Sequence, residues 1–320
     1  MKRAYALIIS FCLVISACFL GGCKNEENYR INVVTTVFSE YDWVKNVVGD
    51  VDGVGVTMLL DSGVDLHSYS PTPKDYVTVS NCDLFVYVGG ESDEWVEGAL
   101  NQAKNKNMAT INLLEVLGDK AREEEEVEGM EEEDHDHGEE ETEYDEHVWL
   151  SLKNAKLFVN EIKDKLCSID GENSSKYAAN AANYISKLDA LDEKYTQAVA
   201  GKIKDTLLFA DRFPFLYLVK DYGLKYFAAF KGCSAASEAS FNTMAFLSGK
   251  VDELSLSVIL KLESSDGSIA QTVKNSTISK DQKILTLDSL QSSTIKEYEA
   301  GRNYLGVMEE NLEVLKEALK

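Results

Sequence analysis

The sequence predicts an α/β protein: two lobes with parallel β-sheets flanked by helices, joined by a long rigid backbone helix. Three observations carry that reading. β-rich runs alternate with helical stretches over residues 31–150, the same grammar returns over 206–287, and residues 173–200 between them form one amphipathic stretch without Gly or Pro. Alternating β and α segments favour parallel sheets, because parallel neighbours need a crossover and a helix supplies it.

In chain order, Lys2 and Arg3 precede the apolar run 4–20, which ends at Leu20-Gly21-Gly22-Cys23. This reads as a lipoprotein signal peptide over residues 1–23, cut before Cys23, which becomes the lipid anchor. Cys18 is a rival acceptor and an uncleaved membrane helix is a further alternative. The polar residues 24–28 suit a tether after Cys23. The first lobe is expected over 24–172, with strands at 31–36, 54–60, 84–88 and 110–113 and helices at 41–48 and 93–104. Trp43, Val44, Val47 and Val48 share one face of the first of these. Over 173–201, Tyr177, Ala181, Tyr184, Leu188, Leu191 and Tyr195 recur at steps of three and four. A helix there would span roughly 40 Å and act as a brace along both lobes. The second lobe, 202–320, carries strand candidates at 206–209, 225–230, 256–262 and 283–287.

The net charge of −23 gives no electrostatic support to nucleic-acid binding and makes cations the natural partners. Residues 119–146 hold 17 carboxylates against Lys120 and Arg122, the density of a solvated acidic loop. After Cys23 the cysteines are Cys82, Cys167 and Cys233, an odd number at wide spacing. No disulfide framework follows from this; one bridge or three free thiols are both open, and no metal role is assigned to them.

The chain has four histidines, at 67, 135, 137 and 147. His67 follows a predicted strand, so its ring would stand at the carboxyl edge of a parallel sheet, where ligands of open α/β sheets bind. His147 sits in Asp145-Glu146-His147, where a neighbouring carboxylate can hold one ring nitrogen and present the other to a metal. Asp134, His135, Asp136 and His137 lie inside the acidic loop and form a weak, mobile chelating set; an incidental solvated linker is the alternative. There is no His-Glu-x-x-His helix or Gly-x-Ser-x-Gly elbow, so a zinc hydrolase is not expected.

From about residue 31 to 320 the sequence resembles the zinc and manganese solute-binding proteins of ABC importers, the cluster A-I family. The resemblance is carried by 63–73 with His67, by 145–152 with His147, by the acidic His-bearing insert, by Phe215-Leu216-Tyr217 running to Tyr222-Gly223-Leu224, and by Leu262-Glu263-Ser264-Ser265 with Ile269-Ala270-Gln271-Thr272. It implies two lobes on a rigid helix with the metal held between them, and His67, His147 and Glu263 as ligands. Many zinc members have a His where this chain has Arg212, and a guanidinium cannot ligate a cation. Asp211 is the nearest competent substitute; pairing with Arg212 or capping the next helix is its other use. Two His and two carboxylates suit Zn²⁺ and admit Mn²⁺ or Fe²⁺.

The resemblance further implies an extracytoplasmic, membrane-anchored monomer that delivers zinc to an ABC permease and its ATPase, without catalysis. Manganese or iron capture in the same role, or an anchored metal-binding adhesin or buffer, are the alternatives.

Overall fold

Burial of alternating apolar segments builds two sheets of the same design. The computed structural model describes residues 29–131, 143–234 and 238–320; the expected signal peptide, its Cys23 anchor and the loop residues Asp134, His135, Asp136 and His137 lie outside them. The first sheet has the order β2-β1-β3-β4, with β1 Ile31–Thr35, β2 Val54–Met58, β3 Leu84–Tyr87 and β4 Ala109–Asn112. The second has the order β6-β5-β7-β8, with β5 Thr206–Phe213, β6 Lys225–Lys231, β7 Val258–Lys261 and β8 Lys283–Thr286. Every pairing is parallel.

The strands are covered on both faces. β3 is buried at all four positions and β5 at seven of its eight, as expected for sheets with helices on each side. One continuous apolar core joins Val33, Trp43 and Phe158 of the first half to Leu207, Phe209, Leu260 and Met308 of the second. Smaller cores cover the outer faces, around Phe85 and Val96 in one half and Leu247 and Ile259 in the other. Residues Ile31–Lys320 accordingly form one compact unit containing both sheets.

The brace is the helix Ser174–Ala200, 27 residues long, which buries Tyr177, Ala181, Tyr184, Leu188, Leu191 and Tyr195 as its spacing predicts. Its first part grips the first half: Asn180 Nδ2 donates to Val47 O (3.1 Å) and Tyr184 O–H to Asp42 Oδ2 (2.7 Å). Its last part grips the second half, where Tyr195 O–H donates to Met308 O (2.6 Å) and Tyr222 O–H to Asp192 Oδ1 (2.8 Å). No helix among the described residues is long and apolar enough to cross a membrane.

Two details differ from the sequence expectation and bear on the site. β5 continues to Phe213 instead of ending at 209, because Arg212 and Phe213 pair with Phe230 and Lys231 after a register shift. Asp211 and Arg212 therefore belong to a strand. The helix expected over 93–104 is the shorter Trp95–Asn101, preceded by a 3₁₀ turn, Glu91–Asp93, that opens on Gly89 and Gly90 at positive φ (85° and 82°).

Candidate metal centre

Each ring of the site is delivered by a short 3₁₀ turn, His67 after a strand and His147 after the acidic insert. Beyond β2, the 3₁₀ turn Leu66–Ser68 is capped by Asp65, whose Oδ1 accepts from the His67 N–H at 3.0 Å. His67 Nδ1 stands 2.9 Å from Ser92 Oγ, in the turn after β3, and 3.4 Å from Glu146 Oε2. His147 precedes the 3₁₀ turn Val148–Leu150, is fully buried, and has Asp145 Oδ1 accepting from its backbone N–H (2.8 Å) and 3.1 Å from its Nδ1. With the Nδ1 atoms so occupied, the two Nε2 atoms face each other at 3.1 Å.

The turn after His147 is anchored to the second half. Trp149 Nε1 donates to Ser289 O (2.9 Å), Tyr304 O–H donates to Trp149 O (2.7 Å), and Tyr217 O–H donates to Asp145 O (3.1 Å). Glu263 holds Ser289 in turn, accepting from its N–H (2.8 Å) and O–H (2.7 Å). Asp211 accepts from the backbone N–H of Leu262 (3.0 Å) and of Arg212 (2.9 Å), which ties β5 to the end of β7. Arg212 reaches the other way: its Nη2 donates to Asp65 Oδ2 (2.7 Å) and its Nη1 to Ser234 O (3.4 Å). Gln291, with its amide oriented to satisfy both neighbours, donates to both Asp65 oxygens and accepts from His147 Nε2 at 3.0 Å.

Among the described residues, one group of three or more His, Cys, Asp or Glu brings its ligand atoms within 4.8 Å of one another: His67, His147 and Cys233. The expected His67 and His147 are thus together, while Asp211 and Glu263 are not part of that group. Cys233 was not among the sequence candidates; a single thiol after a strand carries no spacing pattern. Cys82, Cys167 and Cys233 are all free. A cleft of about 500 Å³ opens over the site, lined by His67, Gly90, Ser92, Glu124, Glu146 and Cys233. The flanks of the acidic insert meet at its mouth, where Glu123 and Tyr144 form an antiparallel bridge.

Charge and burial set opposite proton affinities on the two rings. Burial, reinforced by the charge of His147, pulls the His67 imidazole down to about 3. Burial also works to lower His147, but Asp145, with Asp65 and Glu146, outweighs it and the net shift is upward. Of the two rings, His147 is thus the one that favours the charged form, and His67 the one that favours the neutral form with a lone pair to offer. Burial and the carboxylates Glu124, Asp145 and Glu146 push the Cys233 thiol well above its ordinary value.

This arrangement sits on a chain whose residues 33–318 match the family model described as zinc-uptake complex component A, periplasmic. The chain belongs to this ZnuA family. Its relatives include the zinc-binding lipoprotein AdcA of Streptococcus pneumoniae, 34% identical over 327 aligned residues, covering 99% of this chain and 61% of AdcA. The high-affinity zinc uptake system protein ZnuA of Bacillus subtilis is 32% identical over 321, covering 96% of each. The chain spans about three fifths of the length of AdcA. Among solved structures, the Zn(II)-bound ZnuA-like domain of S. pneumoniae AdcA superposes with a TM-score of 0.71 at 30% identity, covering 90% of this chain and 98% of that one. The ZnuA-like fold of two parallel sheets braced by one helix is thereby shared.

Proposed function

We propose that this protein captures a transition-metal ion, zinc, outside the cytoplasm and hands it to the permease and ATPase of an ABC importer. The observation that carries this reading is the facing pair of His67 and His147 Nε2 atoms at 3.1 Å. Two imidazoles sharing one tetrahedral zinc at ~2.0–2.1 Å stand about 3.3 Å apart, so the rings are spaced for a common ion with little movement. Ser92 and Asp145 hold the far ring nitrogens, the outer partners that such ligands need. Membership of the ZnuA family and the zinc named for AdcA and for its solved domain support zinc as cargo.

In this proposal Asp211 and Glu263 support the site from the second lobe: Asp211 joins β5 to β7, and Glu263 fixes Ser289 and through it the Trp149 turn. Mn²⁺ or Fe²⁺ capture is the second reading, favoured only if these two carboxylates turn inward and enlarge the oxygen share of the shell. The acidic loop with Asp134, His135, Asp136 and His137 would concentrate cations by its field and pass them to the cleft its flanks border. Cys23 is the proposed lipid anchor, and the protein acts by binding, without catalysis.

The test is complementation. In cells lacking the protein and grown under zinc limitation, the intact chain should restore cellular zinc, and His67→Ala or His147→Ala should not. Full zinc content with either variant would contradict the reading.

A further inference from the structure

We propose that Cys233 Sγ is the third protein ligand of the captured ion, making a His67, His147, Cys233 shell; this rests on the metal-capture reading above. The three ligand atoms are the described group that lies within 4.8 Å, and zinc bonds of ~2.3 Å to sulfur and ~2.0–2.1 Å to nitrogen require S···N separations of roughly 3.6 Å. A modest closing of the 232–234 loop is enough.

The surroundings are built for that approach. A Cβ at Gly232 would lie 2.9 Å from Phe213 O and 3.1 Å from His147 Cε1, so a residue without a side chain lets this loop pass against the ring. Arg212, which stands where many zinc members have a His, clamps both ligand-bearing loops, through Asp65 next to His67 and through Ser234 O next to Cys233. The rival third ligand, Asp211, already accepts one backbone N–H on each oxygen.

A buried acid shares the cleft with the thiol. Glu146 is 2% exposed and lines the same cleft as His67 and Cys233; its Oε1 accepts from the Ser92 N–H (2.9 Å), while its Oε2 accepts no hydrogen bond and has His67 Nδ1 at 3.4 Å. Burying a carboxylate with an oxygen short of hydrogen bonds is costly, and a cation held by the three ligands would offset that cost. Cys82 and Cys167 are engaged elsewhere, with Met108 Sδ and Ser174 O.

On binding, the Cys233 S–H bond breaks, its proton leaves to solvent and the sulfur lone pair goes to the metal. A shell of two nitrogens and a thiolate favours Zn²⁺, Co²⁺ and Cd²⁺ over Mn²⁺, which prefers oxygen.

Cobalt(II) loading of the purified full-length chain tests the assignment, because only thiolate ligation produces an intense near-ultraviolet sulfur-to-cobalt charge-transfer band. The expected result is that band in the wild-type chain and its loss in Cys233→Ser, which should still bind cobalt through the histidines but more weakly by at least the ~10- to 100-fold typical of an outer-shell loss. Visible cobalt bands without the near-ultraviolet band in the wild-type chain, or a band that persists in Cys233→Ser, would overturn the role of Cys233 and leave the histidine site standing. Cobalt binding that is unaltered in His67→Ala would overturn both.

Discussion

Arg212 Nη2 lies 2.7 Å from Asp65 Oδ2, so a strand of the second sheet grips the turn that presents His67 from the first. Both side chains are largely sheltered, 18% and 14% exposed, which places the pair above an ordinary surface ion pair in strength. Working against burial, Arg212 first and His67 second hold the Asp65 carboxyl below the usual range. The residue that cannot bind metal thus orients one that can.

Arg212→Met is therefore expected to lower zinc affinity by roughly 10- to 100-fold, the usual effect of losing an outer partner, while saturation stays at one ion per chain. Competition against a chromophoric chelator measures this. Unchanged affinity would mean the Asp65 turn is held without Arg212.

Acidification should weaken binding through His147. Its pKa in the metal-free protein is raised above 6.5, so below that pH the ion must displace a proton from it; affinity falls about tenfold for each unit of pH through His147 alone, and about a hundredfold if the Cys233 thiol proton is displaced as well. His67, pulled down to about 3, adds no competition in this range. Isothermal titration at about pH 5.5 and 6.5 checks the slope, and a flat profile would show that no imidazole proton is displaced.

A Cβ at position 232 meets a backbone carbonyl that cannot swing aside. Gly232→Ala should destabilise the chain by about 1–3 kcal/mol, as overpacking does, and should depress zinc affinity beyond what the lost stability explains. Urea midpoints beside zinc titrations separate the two effects. Wild-type affinity in the variant would show that the loop's approach to His147 is immaterial.

Glu40 is a buried acid away from the metal. Burial, followed by the charge of Asp93, raises it from 4.5 to about 8, although it accepts from the Thr36 N–H (2.8 Å) and Val37 N–H (3.2 Å) at the start of the helix Phe38–Val48. The folded state keeps a proton that the unfolded chain releases, so its contribution is full below pH 4.5 and is lost as pH rises through about 8. At ~1.4 kcal/mol per unit the loss amounts to several kcal/mol. Glu40→Gln should thus be more favourable, relative to wild type, at pH 8 than at pH 5, read from urea unfolding of the metal-free proteins. Equal differences at both pH values would contradict a raised Glu40.

The strands and the brace were legible because burial on both faces leaves short, largely apolar runs, and because a helix lying along a shared core repeats its apolar residues at three and four. His67 and His147 were legible from local context, one after a strand and one beside a carboxylate. Cys233, Ser92 and Gln291 were not, since each reaches the site through tertiary placement: the β5–β6 pairing, the Gly89-Gly90 turn and the connection after β8. β5 was read short because the apolar run stops at Ala210, before the charged Asp211 and Arg212. In the fold both polar heads are satisfied, Asp211 by backbone donors and Arg212 by Asp65, so the strand continues through them.

The central claim, that His67 and His147 hold a zinc ion, is tested most directly by offering the chain equimolar zinc and manganese and counting bound metal by mass spectrometry, beside His67→Ala and His147→Ala. The account predicts one zinc per wild-type chain, little manganese, and loss of zinc in both variants. Zinc retained by both variants, or manganese bound in its place, would contradict it.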